Sequence, residues 1–100
     1  MDIKDKIINE LIDLDLPLNG EVFEYWLEVL QTEYKHKFKT ANMMERYIFL
    51  AEKHNRSVAS VERALRRGTD AMKKRVIEKY NIKTKITNET IVILFKLKIF

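Results

Sequence analysis

The sequence predicts an all-α fold, a compact bundle of about five to six helices containing a helix-turn-helix. Three observations lead there. Apolar residues recur at intervals of three and four, glycine occurs only twice and proline once, and capping residues precede several of the periodic stretches. At 100 residues, 46% hydrophobic and 34% charged, the chain is long enough for one core and too short for two. Residues 1–100 are therefore read as a single domain.

The elements follow in order. Ile3, Ile7, Ile8, Leu11 and Ile12 form the apolar stripe of a first helix. Leu16-Pro17-Leu18-Asn19-Gly20 stops it, because Pro17 lacks a backbone donor and disfavours helical geometry in Leu16, and Asn19 suits the cap of the next helix. From Glu21 to Tyr34, Phe23, Trp26, Leu27, Leu30 and Tyr34 line one face, and the acids Glu21, Glu24, Glu28 and Glu33 read as solvent-facing. Lys35–Thr40 is a basic connector. Asn42 and Glu45 then have the spacing of a capping box for a third helix, Met43 to Lys53. His54-Asn55-Arg56 is a polar break, and Ser57 is the N-cap of a fourth helix running to Arg75. Two helices so closely joined fit a helix-turn-helix over residues 43–75.

The C-terminal segment from Thr87 to Phe100 is ambiguous. Its β-branched residues and the alternation of Lys96-Leu97-Lys98-Ile99 suit a strand, but the cap-like Thr87-Asn88-Glu89 and the lack of a partner strand favour a helix. Such a helix is apolar nearly all round. It reads as a core helix, with a homodimer contact as the alternative.

Composition excludes several function classes. No cysteine is present, so there is no disulfide framework or thiolate metal site, which suits a reducing cytoplasm. The acid-bearing start is unlike a signal peptide, the longest wholly apolar run is Ile91–Phe95, and no membrane partner is expected. His36 and His54 stand among lysines without carboxylates at metal-ligand spacing, and read as surface histidines. No phosphate loop, nucleophile motif or paired-carboxylate constellation occurs, so no enzyme, catalytic residue, metal or cofactor is expected.

Charge is the informative quantity. The net +4 conceals −7 over residues 1–34, with two lysines and nine acids, and +11 over residues 35–100. Segregated charge on a small basic domain points one side toward a polyanion, with nucleic acid first among candidates. The stretch from Ser57 to Arg75 sharpens this. Val58, Val61, Leu65, Met72 and Val76 make one narrow stripe, while Ala59, Ser60, Arg63, Arg67 and Lys74, flanked by Arg66 and Lys73, lie opposite. Small residues first and long cations later suit the major groove, where arginine bonds two acceptors on guanine and later cations reach phosphates. An ordinary solvated face has the same spacing. Gly68, inside the helix, reads as a close contact with the third helix or a bend.

Val61-Glu62-Arg63-Ala64-Leu65-Arg66, preceded by Leu50-Ala51-Glu52-Lys53-His54, resembles the helix-turn-helix of the effector domain of the sporulation-initiation response regulator, stage zero sporulation protein A. The likeness extends weakly to Ile7-Ile8, Pro17 with Gly20, and Thr87-Asn88. It implies an all-helical transcription regulator in which Glu62, Arg63 and Arg66 contact DNA. The chain is too short to hold that family's receiver domain as well. The segment Arg75–Ile82, where the likeness implies contact with the sigma subunit of RNA polymerase, is several residues shorter than the family's.

The resulting expectation is a cytoplasmic, sequence-specific regulator of double-stranded DNA. Ser60, Glu62, Arg63 and Arg66 would read bases, and Arg56, Arg67, Lys73 and Lys74 would hold phosphates. The alternative is a protein-interaction module that binds a sigma subunit or related regulator through its acidic first half or apolar C-terminus and has lost specific DNA binding.

Overall fold

Most helices begin at a side-chain cap and several end in a left-handed residue, which fixes the elements before any tertiary contact is considered. The computed structural model describes residues 2–18 and 20–100. These form α1 (Ile3–Asp13), α2 (Glu21–Tyr34), α3 (Met43–His54), α4 (Val58–Tyr80) and α5 (Asn88–Lys98), with no strand among the described residues. Asp2, Asn42, Ser57 and Thr87 each accept a backbone N–H in the first turn of the helix they precede. The cap proposed at Asn19 lies outside the described residues; Gly20, whose φ of 100° suits glycine, takes the N-cap position of α2.

With glycine scarce, Asp15, His36, Asn55 and Asn81 take the left-handed conformation where α1, α2, α3 and α4 end. Leu16 N–H returns to Leu11 O at 3.0 Å, and Lys37 N–H to Thr32 O at 3.2 Å, closing Schellman motifs. α1 therefore stops ahead of Pro17, through its own capping geometry. Asn42 caps α3 as expected, but the reciprocal half of the capping box is not made. Glu45 instead accepts from the backbone N–H groups of Lys39 and Thr40, at 2.8 and 2.9 Å, and pins the connector. The C-terminal segment is a helix, opened by a true capping box between Thr87 and Thr90.

α4 is the axis of the fold. Its 23 residues span roughly 35 Å at helical rise, the long dimension of a molecule measuring 34 × 27 × 27 Å, and it packs against α2, α3 and α5. Val61, Leu65, Met72 and Val76 are fully buried, as their stripe predicts, and Val58 is half-buried. The helix continues five residues beyond Arg75, to Tyr80.

α2 crosses beneath α4. Trp26 is completely buried, and its indole Nε1 donates to Leu65 O at 3.1 Å. Gly68 makes room for it: a Cβ there would lie 2.5 Å from Trp26 Nε1 and 2.8 Å from Val22 Cγ1. The close approach is thus to α2, not to the third helix. α2 also packs on α1, α3 and α5, so it buries more than one stripe. Val29 and Glu33 are inside, whereas Tyr34, expected inside, is 42% exposed. On α5, Ile91, Val92, Leu94 and Phe95 enter the core while Ile93 and Leu97 face outward.

Candidate nucleic-acid interface

Asn55–Ser57 links α3 to α4 and is fixed at both ends. Arg56 N–H bonds Ala51 O at 2.9 Å, and Ser57 Oγ accepts from Ser60 N–H at 3.0 Å. α4 leaves this turn with one side in the core, so its other side is compelled outward. On that side Arg63, Arg66, Arg67, Lys73 and Lys74 are exposed. Among the described residues, Arg63, Arg67, Lys73 and Lys74 enter no ion pair within 4 Å. Arg66 pairs with Glu62 one turn back at 3.2 Å, an exposed contact that water screens. Ser60 is half-buried, and its hydroxyl accepts from Arg56 Nη2 at 2.8 Å. Arg56 also bonds Glu21 and the Tyr25 hydroxyl, so of the eight expected contact residues it is the one already held by an acid of α2.

Among the described residues, five of the nine N-terminal acids, Glu10, Asp13, Glu21, Glu28 and Glu33, pair with cations of the chain. Glu33 is buried against Arg46, with Oε1 accepting from Nε at 2.8 Å and Nη2 at 2.7 Å, so its expected solvent-facing position is corrected. Arg46 Nη1 donates to Thr40 O and Asn42 O, both at 2.9 Å, and the guanidinium lies 4.7 Å from the Phe38 ring. At the far end of α4, Lys79 bonds Glu10 and Asp13, and Tyr80 donates its hydroxyl proton to Glu10. The Lys79 bond and charge hold the Asp13 carboxyl below the ordinary carboxylate range. Burial would lower Lys79, but its bonds to Asp13 and Glu10 outweigh that and raise its ammonium above the usual lysine range. Burial, with the Glu10 bond, pushes the Tyr80 phenol up to about 12.

Two features escaped sequence reasoning. Asp70 is exposed among the cations of α4, three or four residues from Arg66, Arg67, Lys73 and Lys74, and its helical spacing would have revealed it. His54 is only 26% exposed, with Nε2 2.7 Å from Glu28 Oε2 and its ring 4.8 Å from Tyr25. The expectation that His54 stands at the surface is thereby corrected to a half-buried, paired histidine. The partner carboxylate comes from another helix, 26 residues away. His36 is exposed. Among the described residues, no group of three or more His, Asp or Glu is placed to hold a metal ion, and no helix is long and apolar enough to cross a membrane.

Two grooves flank these elements. One, of about 540 Å³, is lined by Lys35, Lys37, Phe38, Ile48 and Phe49 between α2 and α3. The other, of about 360 Å³, sets three cations, Arg66, Lys73 and Lys85, and three acids, Glu62, Asp70 and Glu89, around Tyr47, Thr69 and Asn88. Its floor is satisfied internally, since Thr69 Oγ1 donates to Asn88 Oδ1 at 2.6 Å and Asn88 Nδ2 to the Tyr47 hydroxyl at 3.1 Å. Comparison of the chain with protein-family models, curated proteins and solved structures finds no match.

Proposed function

We propose that the protein is a sequence-specific DNA-binding regulator that inserts the first half of α4 into the major groove of duplex DNA. The observation that carries this reading is the survival of an unpaired cationic arc. Acids of α1 and α2 engage Arg46, Lys53, Arg56, Arg75 and Lys79, yet among the described residues Arg63, Arg67, Lys73 and Lys74 enter no ion pair on the outward side of α4. A helix of about 10–12 Å diameter fits a groove about 12 Å wide. Ala59 and Ser60 keep its first turn slim enough for close approach. The three-residue turn from α3 and the likeness of Val61–Arg66 to the sporulation regulator's effector domain point the same way.

In this reading Arg63 and Arg66 take guanine acceptors, with Glu62 aligning Arg66, and Arg67, Lys73 and Lys74 hold phosphates. Fluorescence anisotropy against selected and random duplexes at two salt concentrations tests it. Arg63→Ala or Arg66→Ala should each lose about 1–3 kcal/mol on the selected duplex and relax one base position, whereas Lys74→Ala should weaken every duplex alike. Equal losses on selected and random duplexes for all three would refute base reading. A protein-interaction module remains the second reading, favoured by the outward Ile93 and Leu97 of α5. It requires weak, unselective duplex binding and a loss of function on charge reversal at Glu24 or Glu28.

A further inference from the structure

Arg56 lies in the turn that launches α4, and its guanidinium is the hub of a network joining three elements. One oxygen of Glu21, at the start of α2, accepts both from Arg56 Nη1 and from the Tyr25 hydroxyl, the latter at 2.6 Å. Arg56 Nη1 also meets the Tyr25 hydroxyl at 3.3 Å, and Nη2 donates to Ser60 Oγ at 2.8 Å. A carboxylate therefore sits where guanidinium and hydroxyl groups converge at the edge of the proposed DNA-binding face. Those donor types are the ones that bind a phosphodiester oxygen. The Tyr25 bond, reinforced by Arg56, holds Glu21 below the ordinary carboxylate range despite partial burial, so it is ionised at neutral pH.

We propose that Arg56 and Ser60 form a phosphate seat which the free protein fills with its own Glu21, and that binding a duplex exchanges this carboxylate for a backbone phosphate. The inference rests on the DNA-binding reading and adds a competitor within the chain. Both partners are about two-fifths exposed, at 41% for Arg56 and 40% for Glu21, and ion pairs this open to water are weak enough to exchange. Tyr25 is anchored in the core, and its hydroxyl, which bonds the same Glu21 oxygen as Arg56, is released together with Arg56 when the carboxylate leaves. Affinity is thereby set partly by an acid that makes no contact with DNA.

Glu21→Gln tests this, with circular dichroism and a thermal melt confirming that the fold is kept. The variant should bind random and selected duplexes alike about two- to tenfold more tightly than the parent. In an Arg56→Ala background the same substitution should give little or no gain. An unchanged or weaker affinity, or an undiminished gain without Arg56, overturns the proposal. Arg66→Ala separates the two levels. If the parent binds duplex and loses affinity on Arg66→Ala while Glu21→Gln changes nothing, the DNA-binding reading stands and the internal competitor is wrong. If neither parent nor Glu21→Gln binds duplex, both fall together.

Discussion

Gly68 shows how much one missing methyl group decides. Alanine is worth about 1 kcal/mol more than glycine within a helix, so helical propensity alone favours Gly68→Ala. The added carbon would meet the ring of Trp26 at 2.5 Å, however, and that ring is buried and bonded to Leu65 O. Overpacking of this kind costs about 1–3 kcal/mol, so the substitution should lower stability, measured by urea denaturation. Arg46 is a second case. It is 3% exposed and neutralises Glu33, itself 6% exposed. Removing one member of a buried pair costs about 3–5 kcal/mol, and of Glu33's two cationic partners among the described residues only Lys96, 3.8 Å from Oε2 and half exposed, would remain. Arg46→Ala should therefore lose about that much in the same assay and shift the thermal midpoint downward. Gly68 stood out in the sequence as an anomaly. Its neighbour did not, since Trp26 is brought to it only by the crossing of α2 and α4. Arg46 gave no sign at all, being one cation among nineteen until Glu33 is seen turned inward beside it.

At the level of helices, the tie between α1 and the end of α4 should make stability depend on alkaline pH. The Tyr80 phenol is raised to about 12 in the folded protein, against an ordinary value of about 10. A raised value means that the neutral phenol and its bond to Glu10 stabilise the fold fully below about 10, and that this contribution disappears as pH climbs through 12. Lys79 shifts in the same direction and adds to the loss higher still. Thermal midpoints should thus fall between pH 10 and 12, and Tyr80→Phe should flatten that decline. Helix existence was readable from three- and four-residue spacing, as on α4, where Val61, Leu65, Met72 and Val76 all go inside. Spacing was less informative for α2. Four neighbouring helices surround it, and a single-stripe reading left Val29 and Glu33 out and put Tyr34 in. The end of α4 was harder to see, because Asn81 does by left-handed geometry what glycine usually does.

Across the whole molecule, the imbalance between an acidic first third and a basic remainder is plain in the sequence, but its disposition is not. The acids reach their partners across 13 residues from Glu33 to Arg46, 35 from Glu21 to Arg56 and 69 from Glu10 to Lys79. Only the folded topology says which cations are cancelled and which survive. It pairs Arg56 and Lys79, near the two ends of α4, with acids of other helices and leaves Arg63, Arg67, Lys73 and Lys74 without an ion pair among the described residues, so a modest net charge coexists with a basic local face.

Trp26 is the chain's sole tryptophan, and it lies between α2 and the backbone of α4, away from the outward cations. Its emission is therefore a label-free gauge of whether those two helices remain joined. Substituting the outward arginines leaves the emitter's surroundings intact, so integrity of the scaffold and occupancy of its far side are read from one cuvette on separate optical channels.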